Sequence, residues 1–206
     1  MPVDLREALR PGHTAVLIME MQAGVIGEVA ALPELAGEVA ALDVIGHCAR
    51  LVAAARQRQV RVVHCTAEFR GDGVGTPINT PLMTAMSRRP GHLQTGTAAA
   101  RIVPELGPHE ADLVVARSHG VSPFGGTALD MTLRNLGVTS IVAAGVSVNL
   151  GVLGLAIEAV NLGYRVVVAT DAVCGFPRDY AESVMRYSMA LVATRATVGE
   201  IVKAWD

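Results

Sequence analysis

The chain has 206 residues, a length that suits one domain with a sizeable core, and 51% of them are hydrophobic but only 3% aromatic. A net charge of −2 and few aromatic side chains argue against nucleic acid as a partner. The three cysteines are widely spaced and the start of the chain lacks a secretion-signal pattern, so we predict a soluble, cytoplasmic protein that binds neither nucleic acid nor membranes.

Short apolar runs rich in β-branched residues predict the strands of a sheet, which lie at 14–19, 60–65, 111–116, 140–145 and 164–170. Such near-continuous runs are typical of strands that are covered on both faces, as in a parallel sheet. Apolar residues at helical spacing predict helices at 40–57, 127–135 and 151–162. Beyond the fifth strand we expect a helix at about 179–193, a short strand at 194–198 and a terminal helix.

This alternation predicts a single α/β domain over 1–206, with three layers (α/β/α) and a mostly parallel, doubly wound central sheet. The stretch 135–157 carries no charged residue and is long enough to cross a bilayer. Its glycines, and its change from β-branched to helical spacing, favour a buried strand, turn and helix instead. The segment 69–101 is rich in Gly, Thr and Pro without sustained periodicity, which predicts a lid or a subunit-contact loop near the site.

Polar side chains stand at the ends of the predicted strands, where parallel strands converge on one crevice. They are Glu20 and Gln22 for the first strand, His64 and Cys65 for the second, Arg117, Ser118 and His119 for the third, Ser147 to Gly151 for the fourth, and Asp171 and Cys174 for the fifth. The crevice therefore combines a carboxylate, a guanidinium and the start of a helix, whose free N–H groups attract negative charge. That combination predicts proton transfer on an anionic substrate.

Three blocks of the sequence resemble the isochorismatase-like hydrolase superfamily, which includes isochorismatases, nicotinamidases and related cysteine hydrolases. The blocks are AVLIMEMQAG (15–24), RSHGVSPFGGTALDMTLRNLGV (117–138), and GVSVNLGV (145–152) leading into GYRVVVATDA (163–172). They extend over nearly the whole chain. The resemblance implies the fold of that family, a homo-oligomer (dimer or tetramer), and a cis peptide bond between Val146 and Ser147.

The amidase members of that family use an Asp, a Lys and a nucleophilic Cys, and the resemblance places Glu20, Arg117 and Gly151 at these three positions. Gly151 carries neither a thiol nor a hydroxyl, so covalent acyl transfer at that position is excluded. Arg117 keeps the positive charge but stays protonated, so it can pair with a carboxylate and cannot shuttle a proton. The only lysine of the chain, Lys203, lies in the predicted terminal helix.

Isochorismatases hydrolyse a vinyl ether without the cysteine and use the carboxyl as the acid that protonates the enol carbon, so the resemblance makes Gly151 compatible with catalysis. A general acid must hold its proton near neutral pH, whereas a neighbouring Arg117 keeps Glu20 ionised unless burial dominates. We predict a cysteine-independent hydrolase of a small anionic metabolite of the vinyl ether type. Its catalytic residues are Glu20 as acid or base, Arg117 as the cation that holds the substrate carboxylate or Glu20, and Gly151.

Further residues are predicted to bind substrate, namely Gln22, His64, His119, Phe124, Ser147, Asn149 and Leu150. Phe124 and the segment 69–101 would shape the pocket, and the amides of Leu150 and Gly151 would bind developing negative charge. We predict no cofactor and no metal, because the stretch HCTAEFRGDG has His64, Glu68 and Asp72 but lacks the clustered histidines of the nicotinamidase branch.

Two other hypotheses remain open. Since all three catalytic positions differ from those of the amidases, the chain is alternatively a catalytically silent member that binds a metabolite or a protein partner, with Glu20 and Arg117 as a structural ion pair. In the other hypothesis the nucleophile has moved to Cys65 or Cys174, although free cysteines are usually buried hydrophobic residues. Cys48 lies on the apolar face of a predicted helix and belongs to the core.

Overall fold

The computed structural model describes residues 3–206, and its central sheet has six strands within that range. They are β1 (Thr14–Met19), β2 (Arg61–Ala67), β3 (Leu113–Arg117), β4 (Ser140–Val146), β5 (Arg165–Cys174) and β6 (Thr194–Ala196). Their order across the sheet is β3-β2-β1-β4-β5-β6, and each neighbouring pair is parallel. The order reverses between β1 and β4, so the predicted doubly wound sheet is confirmed.

Helices connect and cover these strands. They are α1 (Leu5–Ala8), α2 (Ala23–Ile26), α3 (Pro33–Ala41), α4 (Val44–Gln57), α5 (Pro81–Ser87), α6 (Leu129–Asn135), α7 (Gly151–Asn161), α8 (Arg178–Ser183), α9 (Ala190–Val192) and α10 (Val198–Ala204). A π-helical turn, Val184–Met189, joins α8 to α9, so the helix predicted at about 179–193 is present with a widened centre. Within residues 3–206, no helix combines the length and the hydrophobicity that crossing a membrane requires.

The sheet lies between two helical layers, and successive residues of β1 face opposite sides of it. Val16 and Ile18 pack into one core cluster together with α3, α4 and α10, whereas Leu17 and Met19 pack into the other with α6 and α7. This alternation follows from the two-residue period of a strand. Both faces of β1 and β4 are buried, which explains why their sequences are continuously apolar.

Two predictions about helices were incomplete. The single helix predicted at 40–57 is divided, because Asp43 adopts a left-handed backbone (φ 49°) that ends α3 and lets α4 begin at Val44. The segment 69–101 contains α5, whose first turn is capped by the hydroxyl of Thr80, which accepts a hydrogen bond from the Met83 amide (3.1 Å). A threonine followed by a proline is typical of the start of a helix, and the prediction of a loop for this segment did not take that signal into account.

The fifth strand is longer than predicted. It runs to Cys174 because its pairing with β4 shifts register between Ala143 and Gly145. Asp171 therefore lies within the strand, where its side chain accepts a hydrogen bond from the Val198 amide (2.7 Å) at the start of α10. This placement takes Asp171 out of the crevice where the sequence had put it.

His64, on β2, belongs to a buried polar network on the α4 side of the sheet rather than to the crevice. Its Nε2 lies 3.3 Å from Oδ2 of Asp112, which also accepts the His109 amide (2.9 Å) and pairs with Arg56. Arg56 donates in addition to the carbonyl of Leu106 (2.8 Å). The network joins α4, β2 and the turn before β3, and the predicted role of His64 in substrate binding has no contact to support it.

Burial lowers the pKa of His64, and the hydrogen bond to Asp112 offsets only part of this effect. Below about pH 6.5 His64 therefore binds a proton in the unfolded chain but stays neutral in the folded chain, so the free energy of unfolding falls as the pH falls through that region.

We expect the variant His64→Gln, which keeps an amide donor toward Asp112, to show a weaker pH dependence. The slope of its free energy of unfolding against pH should be smaller than the native slope by up to about 1.4 kcal/mol per pH unit. Urea unfolding between about pH 5 and pH 7 measures it. An unchanged slope in His64→Gln would contradict the assignment.

Candidate active site

A pocket of about 240 Å³ opens at the carboxyl end of the sheet, beside the point where strand order reverses between β1 and β4. Open α/β sheets bind ligands at this position. Glu20 from the end of β1, Arg117 from the end of β3, and Gly151 at the start of α7 all line it. The three residues that the sequence assigned to catalysis are thus brought together.

Glu20 is held in the pocket by a tight turn directly after β1. Its backbone has φ 49°, a left-handed conformation that costs a residue with a side chain of order 1–3 kcal/mol. The Glu20 amide donates to the carbonyl of Cys65 on β2 (2.9 Å), and its carbonyl accepts from the Gln22 amide (2.8 Å). Because both backbone groups are bonded, the turn fixes the direction in which the carboxyl leaves the chain.

Gln22 supports this turn and does not line the pocket. Its side chain is fully buried, and Nε2 donates to the carbonyls of Ala67 (3.0 Å) and Ala100 (2.7 Å). Its Oε1 accepts from the Ala67 amide (2.8 Å). With these groups bonded to backbone, Gln22 ties the end of β1 to the end of β2 and to the segment 69–101, in place of the substrate contact predicted from the sequence.

The carboxyl of Glu20 and the guanidinium of Arg117 contact each other, with Nη2 donating to Oε1. The arginine is only 7% exposed, and its Nε is buried without a hydrogen-bond partner in the described part of the chain. Burial raises the pKa of Glu20, while the charge and hydrogen bond of Arg117 act in the opposite direction without cancelling the rise. The pKa of Glu20 therefore lies above its ordinary value, a shift in the direction of the protonated carboxyl.

The turn after β4 forms the floor of the pocket. The peptide bond between Val146 and Ser147 is cis, which confirms the expectation from the family resemblance. The Ser147 carbonyl accepts from the amides of Leu150 (3.2 Å) and Val152 (2.9 Å), so the Leu150 amide is already occupied. Among residues 3–206 the Gly151 amide has no backbone acceptor, so it is one of the N–H groups able to meet negative charge in the first turn of this helix.

Gly151 also fixes the shape of the floor. A Cβ at this position would lie 3.1 Å from Cε of Met19 and 3.3 Å from the carbonyl of Val146. These distances are tight but do not forbid a side chain, because the end of Met19 is flexible. The glycine is therefore not imposed by backbone geometry, and its consequence is chemical. No thiol lines this pocket within the described chain, and Ser147 supplies its only hydroxyl.

The remaining walls are apolar and come from two regions. The helices α2 and α3 with the turn between them contribute Val25, Leu32 and Leu35, and the segment 69–101 contributes Phe69, Leu82, Met83, Met86 and Leu93 together with His92. Residues 69–101 thus line part of the pocket, and their role as a lid or a subunit contact stays a prediction. His92 was not among the residues predicted from the sequence. Methionines three residues apart after the Thr80–Pro81 start signal would have indicated a short helix facing the site.

Ser147, Asn149 and Leu150 line the pocket as predicted, whereas Phe124 and His119 do not. The Phe124 ring is buried between α6 and α7, stacked on Tyr164 with ring centroids 6.0 Å apart. His119 lies beside Gly126 in the loop that follows β3.

The two candidate cysteines also lie outside the pocket lining. Burial raises the pKa of Cys65 and of Cys174 to about 12, so both remain thiols near neutral pH. The polar residues of the stretch after β2 are engaged elsewhere, since Asp72 pairs with Arg70 (2.7 Å) and Glu68 accepts from Thr66 (3.2 Å). Across residues 3–206 no group of three or more His, Cys, Asp or Glu side chains is arranged to hold a metal ion.

Comparison with known proteins identifies the family. The isochorismatase domain matches residues 14–199. The ureidoacrylate amidohydrolase RutB of Rhizobium rhizogenes is 29% identical over 194 residues, covering 88% of this chain and 78% of that protein. The uncharacterized isochorismatase family protein YwoC of Bacillus subtilis is 34% identical over 104 residues, which is 50% of this chain and only 54% of YwoC.

Among solved structures, an isochorismatase family protein from Desulfovibrio vulgaris superposes with a TM-score of 0.81 at 27% identity. The match covers 93% of this chain and 97% of that one. The domain match, the relatives and the shared fold agree with one another. The chain belongs to the isochorismatase family of hydrolases.

Proposed function

We propose that this protein hydrolyses a small metabolite of the vinyl ether type without a cysteine nucleophile, and that Glu20 is its general acid. The observation that carries the proposal is the Glu20 carboxyl, whose pKa burial raises, in a pocket that no thiol lines within residues 3–206. A carboxyl with a raised pKa holds its proton to a higher pH than an ordinary glutamate does, and it can deliver that proton to carbon.

The chemistry follows from the position of Arg117. When Glu20 gives its proton to the enol carbon, the carboxyl becomes a carboxylate, and a positive charge develops on the substrate. Nη2 of Arg117 already contacts Oε1, so the new carboxylate forms beside its counter-ion with no rearrangement. The cation lowers the free energy of the state after proton transfer, while burial keeps the proton in place before it.

The lining of the pocket supports the proposed substrate class. While Glu20 is protonated, Arg117 has no other anion within the pocket lining and is available to attract a substrate carboxylate. The other walls are mostly aliphatic and thioether side chains, which suit an apolar body. The proposed substrate is therefore a small carboxylate with an apolar ether substituent.

Amide hydrolysis is the alternative chemistry suggested by the name of the relative RutB. It would require an activated nucleophile in this pocket, and the one hydroxyl there, on Ser147, has no hydrogen-bonded base in the described chain. Cleavage of a vinyl ether needs a proton donor and water instead. The cytoplasmic location and the assembly into a dimer or tetramer stay predictions.

A second candidate function is that of a silent member that binds a metabolite or a protein partner. The direct contact between Glu20 and Arg117 favours it, because a buried ion pair of this kind is also a common structural device. Such a member would bind a carboxylate without releasing product. The two functions are therefore separated by turnover rather than by binding.

We expect Glu20→Gln to lower kcat by about 10²–10⁴-fold while leaving the fold intact, because glutamine keeps the shape and loses the proton. The assay follows pyruvate released from 2-alkoxyacrylates, the simplest vinyl ethers that carry a carboxylate. The exposed Glu110→Gln serves as the control and should keep native turnover. Full activity in Glu20→Gln would contradict the assignment, and binding without turnover by the native protein would establish the silent function.

Labelling with iodoacetamide tests which cysteine positions in this protein are reactive. Near pH 8 we expect the native protein to remain unlabelled, because its three thiols are buried and burial raises the pKa of each to about 12. Gly151→Cys should take up one label at the pocket floor, and Gly151→Ala none. Mass spectrometry reads the result. Labelling of Cys65 or Cys174 in the native protein, blocked by a 2-alkoxyacrylate, would show that the nucleophile has moved.

A further inference from the structure

His92 lies in the same pocket as Glu20 but on the side formed by the segment 69–101. Its position is fixed by backbone bonds rather than by its ring. The His92 amide donates to the Arg89 carbonyl (3.1 Å), and the next residue, Leu93, accepts from the Phe69 amide (2.9 Å). A parallel bridge between Phe69 and Gln94 joins this stretch to the chain that leaves β2.

The ring of His92 makes no hydrogen bond to another residue within the described chain, although neither ring nitrogen is sealed from solvent. Three titratable side chains line the pocket in residues 3–206, and the other two, Glu20 and Arg117, contact each other. Arg117 cannot exchange a proton near neutral pH. His92 is therefore the pocket residue whose proton-binding group is free to meet water or substrate.

Vinyl ether hydrolysis needs a second proton transfer that Glu20 serves poorly. Once Glu20 has protonated the enol carbon, water must attack the oxocarbenium carbon and lose a proton. The carboxylate left on Glu20 contacts Arg117, which weakens it as a base. A neutral imidazole elsewhere in the pocket lining meets this need without disturbing the pair.

We propose that His92 is a catalytic residue that takes the proton from the attacking water. This inference rests on the proposed function, and its chemistry balances as follows. The proton of Glu20 forms the new C–H bond with the π electrons of the enol, and the water oxygen forms a C–O bond while one of its O–H bonds passes its proton to His92. The resulting hemiketal breaks its bond to the alkoxy oxygen, which leaves as the alcohol with the hemiketal proton. His92 then returns its proton to Glu20 through water.

The charges around His92 favour this role. Arg89 lies in the same turn, the Arg70–Asp72 pair lines a neighbouring cavity that His92 also lines, and the Glu20–Arg117 pair lines the same pocket as His92. Burial lowers the pKa of His92, and the positive charge of Arg89 adds to the effect. The imidazole is thus neutral near neutral pH and able to accept a proton.

The test uses two variants of the full chain and the pyruvate assay on 2-alkoxyacrylates. His92→Gln should lower kcat by about 10²-fold, change KM less than about threefold, and abolish the acid limb of the kcat pH profile. In His92→Ala, added imidazole should restore part of kcat and bring the acid limb back. The exposed His109→Gln is the matched control and should keep the native profile.

A second readout does not depend on turnover. We expect the ring resonances of His92, identified by their loss in His92→Gln, to titrate below about 6.5 and to shift when the saturated analogue 2-methoxypropionate binds. If Glu20→Gln is inactive while His92→Gln keeps the native kcat and pH profile, the role of His92 is overturned and the proposed function survives. If the native protein releases no pyruvate, both are overturned.

Discussion

The active site depends on two opposing effects on the pKa of the Glu20 carboxyl, namely burial and the charge of Arg117. Glu20 stands at the end of β1 in a buried position that disfavours its charge, and Arg117 reaches it from the end of β3 and favours that charge. The pair is joined across β2, so the register of three strands determines whether the contact forms. The tight turn at Glu20 and the buried amide of Gln22 hold the carboxyl end of the sheet in the geometry that this contact requires.

The residues around the Glu20–Arg117 pair determine which reaction the pocket can support. Family amidases place a thiol beside their carboxyl and lysine, whereas Gly151 brings no nucleophile and leaves its amide without a backbone acceptor at the start of α7. Apolar walls from α2, α3 and α5 lower the local dielectric, which strengthens both the burial effect and the attraction of Arg117. Acid chemistry on a vinyl ether fits such a site better than acyl transfer does.

The sequence predicted the layers, the parallel doubly wound sheet, and the meeting of Glu20, Arg117 and Gly151, because strand periodicity and the rule for strand ends act locally. The sequence-based prediction was wrong for side chains whose hydrogen-bond or packing partners determine where they lie. Gln22, His64 and Phe124 follow the same pattern as true pocket residues, but their partners (backbone groups, Asp112 and Tyr164) come from distant parts of the chain. His92 was not predicted because it lies in an irregular turn after α5, and the backbone bonds that hold this turn beside the pocket join it to Phe69, far earlier in the segment.

The central claim is that burial outweighs Arg117 at Glu20, and it is tested most directly by titrating that one carboxyl. Carbon-13 labelling of the glutamate carboxyl groups, with Glu20→Gln to identify the signal, permits this by NMR in the free protein. We predict that Glu20 titrates above the ordinary glutamate pKa of about 4.3. A carboxyl that titrates at or below that value would show that the ion pair prevails, and it would contradict the role of Glu20 as an acid.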